Sequence, residues 1–186
     1  MKTLEEQMSF YAAYHQDARN KATHFVGVPL IAFSLMIALG WLRADLEGFS
    51  VSAALVVTSL LLLYYLLLDL PLGLASCVLF GLMLWGADGL SQAPLGASLA
   101  WFFALFVGGW ALQLWGHVFE GRKPALVDNL FQVFVAPIFL AAEVFFALGY
   151  KPKLHLAVQK RALEMRAAAG IPQKSGSEPD FGNAGP

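Results

Sequence analysis

Three histidines, His15, His24 and His117, each lie where a hydrophilic stretch meets a long apolar run. Around the last of them the segment 113–129, QLWGHVFEGRKPALVDN, gathers Glu120, Arg122, Lys123, Asp128 and Asn129. Ionisable groups at such a border are costly unless they bind something or face water, so they mark a candidate functional site. Neutral imidazole is the commonest metal-ligating side chain, and three imidazoles with a carboxylate nearby suit iron, zinc or another borderline metal. No short-range ligand motif such as HExxH is present, so a shared metal would have to be held by residues distant in sequence. The same histidines could instead hydrogen-bond loop carbonyls or lipid headgroups. The fourth histidine, His155, falls in KPKLHLAVQKRALEMR, whose charge marks a solvated or headgroup-facing helix.

These residues need particular elements to bring them together. His15 and His24 are nine positions apart, about two and a half turns of one helix, which would put them on opposite faces. A break between them removes the difficulty, and Asn20 or Thr23 is a suitable cap for an apolar helix beginning at His24. His117 ends another apolar run, with Gln113 and Glu120 on the same helical face. Beyond Pro124, Asp128, Gln132 and Glu143 fall near one face and form a polar stripe that should point into the protein. Arg122 and Lys123 could also hold a lipid phosphate. No nucleophile elbow, phosphate loop or dinucleotide fingerprint occurs, and the single cysteine, Cys77, lies inside an apolar run, where packing is its expected use.

With 186 residues, 58% of them apolar and 13% charged, and a mean hydropathy of +0.62, the chain reads as one all-α polytopic membrane domain, residues 1–170. A net charge of -1 without a basic stripe argues against a nucleic-acid partner. The amino-terminal stretch is not a cleavable signal peptide, because acids interrupt it and no apolar core precedes residue 25. Residues Leu4 to Arg19, with Leu4, Met8, Tyr11, Tyr14 and His15 on one face, predict an amphipathic helix at the membrane surface. Apolar spans are expected at Phe25–Leu42, Val51–Leu68, Leu72–Trp85 and Ser98–Trp115, with RADLEGFS and GADGLSQAPLG as loops. Gly108 and Gly109 should permit close helix contact.

Residues 131–150 are apolar enough to span, which gives a bundle of four to five hydrophobic helices. A full crossing there would export Lys151, Lys153, Lys160, Arg161 and Arg166 if the amino terminus is cytoplasmic. A re-entrant or tilted helix is therefore expected, with the three histidines at the cytoplasmic interface. Residues 171–186 read as a disordered tail.

Two long segments, YAAYHQDARNKATHFVGVP and QLWGHVFEGRKPALVDNLFQVFVAPIFLAAE, resemble the fungal 2-hydroxy fatty acid dioxygenase family, which has bacterial members. The likeness runs from Tyr11 to about Tyr150. It implies a small integral membrane enzyme dependent on Fe(II), which uses O2 to shorten a long-chain 2-hydroxy fatty acid by one carbon in α-oxidation. The family's histidines fall on His15, His24 and His117, and its other polar positions on Asn20, Glu120, Arg122, Lys123, Asp128, Asn129 and Glu143. On this resemblance the histidines hold iron, and Arg122 or Lys123 pairs with the substrate carboxylate, with Asn20 and Asn129 beside the substrate. Glu120, Asp128 or Glu143 would orient an imidazole. A non-catalytic membrane scaffold or lipid-binding protein, or a small proton-coupled transporter using Glu143 and His117, stays open beside it.

Overall fold

The computed structural model describes residues 3–121, 123–125 and 130–171. In chain order the elements are α1 (Leu4–Tyr14), α2 (Ala18–Gly40), the strands β1 (Arg43–Leu46) and β2 (Phe49–Ser52), α3 (Ala53–Leu68), α4 (Leu70–Ser91), α5 (Leu95–Glu120), α6 (Gln132–Ala147) and α7 (Pro152–Ala168). Helices α2, α4 and α5 have 23, 22 and 26 residues, enough at 1.5 Å each to cross about 30 Å of hydrocarbon. Helices α3 and α6, of 16 residues each, are equally apolar but shorter. The all-α expectation holds, with five apolar helices of which three are long. Their outward faces carry large apolar side chains, such as Trp85 at 82% and Val118 at 75% exposure. Such a surface suits hydrocarbon and not water.

Several boundaries differ from the sequence reading. The segment expected as the loop RADLEGFS forms a β-hairpin, with Arg43 opposite Ser52 and Leu46 opposite Phe49. Its two-residue turn works because Glu47 and Gly48 both take positive φ, at 48° and 91°. Arg43 then bonds Gly40 O at 3.0 Å and Ser91 Oγ at 3.1 Å, and pairs with Asp88, tying the hairpin to the end of α4. The hairpin takes up Val51 and Ser52, so α3 begins only at Ala53. Helix α4 runs on to Ser91 instead of stopping at Trp85, and α5 continues to Glu120, where Gly121 caps it at φ 69°. His117 is thus inside the last turn of α5 rather than beyond it.

Helix α1 ends at Tyr14 rather than Arg19, and other helices of the protein cover most of it. Met8 and Ala12 are fully buried, and Tyr11, Ala13 and Tyr14 nearly so. The covering elements are α7 and α6, which pack along it. His155 on α7 is likewise not simply solvated: its ring stacks on Phe146 at 4.5 Å. Both ends of α6 meet the same end of α3. Phe131 meets Tyr64 edge to face, Tyr65 donates to Phe134 O at 2.6 Å, and Lys151, just past α6, pairs with Asp69. At 16 residues, this helix is shorter than the three long apolar ones. Of the tail expected over 171–186, residues 172–186 lie outside the described residues.

The pair that positions the site is α2 and α5, packed together along much of their length. Gly109 makes this possible, because a Cβ there would sit 2.7 Å from Ile31 Cγ1 and 3.0 Å from Gly27 O. Gly108, expected to share that part, faces open space.

Candidate metal centre

The chain breaks its helix at His15–Asp17, earlier than the sequence suggested. Asp17, not Asn20 or Thr23, caps α2, its carboxylate accepting from Arg19 N at 2.9 Å. What fixes the corner is a carboxylate from far along the chain. Glu120 Oε2 accepts from Gln16 N at 3.0 Å, Asp17 N at 2.8 Å and Asn20 Nδ2 at 3.3 Å. Glu120 Oε1 accepts from Arg166 Nη1 at 2.9 Å, and Arg166 also donates to Ala13 O at 3.0 Å. The two charged side chains are 0% and 3% exposed. One ion pair therefore joins α1, α2, α5 and α7 around the residue that precedes Gln16, which is His15.

The corner turns His15 toward His24, and α5 brings in His117. The imidazole centroids are 4.6 Å (His15–His24), 5.1 Å (His15–His117) and 5.0 Å (His24–His117) apart, and all three residues are buried. One nitrogen from each lies within 4.8 Å of the others. The close approach of α5 depends on Gly116, where a Cβ would strike Thr23 Oγ1, sit 2.5 Å from Asn20 Oδ1 and press on His24 Nδ1 at 3.2 Å. Tyr11 stacks on the His15 ring at 4.0 Å with planes 9° apart and closes that side from solvent.

The tautomers follow from the backbone. His15 Nδ1 donates to Tyr11 O at 2.7 Å and His24 Nδ1 to Asn20 O at 2.8 Å. Both Nε2 atoms then carry lone pairs, and they face each other at 3.1 Å. Two acceptors at that distance repel unless a cation lies between them. Two nitrogens each about 2.1 Å from one ion sit roughly 3 Å apart, so the spacing fits a metal. Burial first, and then the neighbouring His24, hold the His15 imidazole well below its ordinary range, so it stays neutral and ligand-ready at physiological pH. An all-imidazole set backed by carbonyl acceptors fits a divalent borderline metal.

The centre closes the head of an apolar cavity. Beside the histidines it is lined by Tyr11, Gln113 and Gln132, and farther along by Val28, Ile31 and Ala32 of α2. Gln132, 4% exposed, has its Oε1 buried without a hydrogen-bond partner. Its place on a polar stripe was visible in the sequence, but nothing there set it apart from Glu143. Leu35, Val57 and Phe134 line the cavity while remaining 39%, 42% and 43% exposed, so it opens sideways toward the surrounding medium.

The remaining sequence candidates are spread differently. Glu143 pairs with Lys21 at 2.9 Å and does not reach the histidines' nitrogens. Asn20 is fully buried, turned to Glu120 and to Tyr14 O, and does not line the cavity. Lys123 is exposed and also outside the cavity lining. Arg122, Asp128 and Asn129 lie outside the described residues. Nothing in the sequence marks Arg166 as part of the site, because it sits in a charged helix among exposed neighbours such as Lys160 and Glu164.

Long apolar helices of membrane-spanning length surround a buried three-histidine cluster that could hold a metal ion, at the head of a cavity open to their outer face, an arrangement compatible with a helical membrane protein. The chain belongs to the Mpo1-like family: the family model described as 2-hydroxy-palmitic acid dioxygenase Mpo1-like matches residues 1–148. It is 36% identical over 171 residues to the 2-hydroxy-palmitic acid dioxygenase MPO1 of Saccharomyces cerevisiae, a match covering 88% of this chain and 95% of that protein. No solved structure matches it.

Proposed function

We propose that this protein is an Fe(II)-dependent dioxygenase that shortens long-chain 2-hydroxy fatty acids by one carbon with O2. In this reading it works within a membrane, its histidine end toward the cytoplasm. The observation that carries the proposal is the placing of three buried imidazoles, two with facing Nε2 lone pairs 3.1 Å apart, at the head of an apolar cavity. A 2-hydroxy acid has the matching shape, with a hydroxyl beside a carboxylate at one end and an alkyl tail at the other.

His15, His24 and His117 would hold the iron, with Tyr11 O and Asn20 O keeping two of the rings in the ligating tautomer. Iron, when bound, supplies a Lewis-acid seat for the adjacent hydroxyl and carboxylate and the one-electron chemistry that O2 requires. Histidines alone would also accept zinc, but zinc has no redox chemistry to offer a dioxygenase. Tyr11 and the apolar wall exclude water, and Gln113, one turn before His117, puts an amide at the polar end of the cavity. Among the described residues, the ion pairs of Lys21, Lys151, Arg161 and Arg166 surround the histidine end, whereas Arg43 stands at the hairpin end. That asymmetry supports a cytoplasm-facing site.

Purified protein given 2-hydroxyhexadecanoic acid, Fe(II) and O2 should yield the acid one carbon shorter, detected by mass spectrometry. Hexadecanoic acid without the hydroxyl should be returned unchanged. Consumption of both acids at equal rates would sink the reading, because the adjacent hydroxyl would then have no part in it.

A further inference from the structure

We propose that the distal end of the cavity, walled by Met36, Thr58 and Phe80, seats the terminal carbons of the substrate and sets the length of chain the protein accepts; this rests on the dioxygenase reading above. The cavity follows α2, since His24, Val28, Ala32, Met36 and Leu39 all line it. From His24 to Met36 and Leu39 the helix rises about 18 and 22 Å. An extended alkyl chain with bonds of about 1.5 Å at near-tetrahedral angles advances roughly 1.25 Å per carbon, so the cavity matches about 14 to 18 carbons. Met36, Thr58 and Phe80 are each 4% exposed, a closed wall from three different helices. The partly exposed Leu35 and Val57 flank this end and give the tail a sideways way in.

Length is read here by fit rather than by the hydrophobic effect. The tail leaves hydrocarbon for an apolar cavity, so little transfer free energy separates one homologue from the next. A tail too long meets the buried wall, and a tail too short leaves its lining without contacts on one side. Ala32 stands midway along α2, where a larger side chain would shorten the available space without touching the histidines.

The test compares 2-hydroxy acids of 8 to 20 carbons in two variants made in opposite senses, Ala32→Phe and Phe80→Ala. Anaerobic dissociation constants and turnover are both measured. In Ala32→Phe the C16 acid should bind at least about tenfold more weakly, the size of a moderate overpacking clash, while the C8 and C10 acids change less than about threefold. In Phe80→Ala the optimum should move to longer acids. A folding defect lowers all lengths alike and cannot move the optimum in opposite directions. An unmoved length profile in both variants, with the wild type active, overturns the ruler and leaves the dioxygenase reading intact. A wild type that neither binds nor turns over 2-hydroxy acids of any length overturns both.

Discussion

Replacing His24 by Ala is expected to abolish 2-hydroxy acid turnover and to remove the bound metal, with the helical content of the protein unchanged. His24 contributes one of the two facing Nε2 atoms, and its loss leaves His15 and His117 to hold an ion alone. Perturbing only the groups that orient such ligands costs about 10- to 100-fold in affinity or activity, so deleting a ligand should exceed that range. Elemental analysis, circular dichroism and product assay on the same preparation check the expectation. Because the two Nε2 lone pairs repel in the metal-free protein, His24→Ala should also unfold no more readily than metal-depleted wild type. Full activity in His24→Ala would remove this residue from the site.

The second large effect is expected at Glu120. In Glu120→Gln the Arg166 guanidinium stays 3% exposed opposite a neutral amide, and breaking a buried pair from one side costs about 3–5 kcal/mol. For a chain of this length that corresponds to roughly 10 °C in thermal midpoint. Glu120 also accepts from Gln16 N and Asp17 N, so the α1–α2 corner should loosen and metal affinity fall with stability. Replacing both partners, as Glu120→Gln with Arg166→Met, removes the stranded charge and should recover part of the loss. Recovery cannot be complete, because an amide is a poorer acceptor for two backbone N–H groups than a carboxylate. Thermal melts of the wild type and these two variants in one detergent separate the outcomes. Equal midpoints for Glu120→Gln and wild type would mean the pair does not hold the corner.

The contrast between these two residues shows what the sequence could reveal. The histidines were legible because each interrupts the edge of an apolar run, and because the nine-position separation of His15 and His24 demands a break in the helix. The place of the break was not. Asp17, Asn20 and Thr23 are all good caps, and the choice among them is made by Glu120, a hundred residues away, which accepts from Gln16 N and Asp17 N. Arg166 carried no periodic signal, since a single buried cation on a charged helix looks like its exposed neighbours. The hairpin was hidden because Glu47 adopts the positive φ usually left to Asn, Asp or Gly.

Structure also weighs on the readings that chemistry alone left open. Proton-coupled transport needs ionisable groups along the bundle, yet Glu143 is paired with Lys21 and, among the described residues, the cavity wall beyond the histidine end holds no ionisable side chain. A scaffold would have no use for two imidazole lone pairs directed at each other inside the protein, an arrangement that costs stability unless a cation relieves it.

The most direct test of the account is a single turnover. Metal-free protein is loaded anaerobically with graded amounts of Fe(II), saturated with 2-hydroxyhexadecanoic acid, freed of unbound acid, and then exposed to O2. The shortened acid should rise in proportion to iron and level off at one iron per chain, with none formed by zinc-loaded protein. The same yield from metal-free protein, or no product at full iron loading, would contradict the assignment of His15, His24 and His117 as the seat of the reaction.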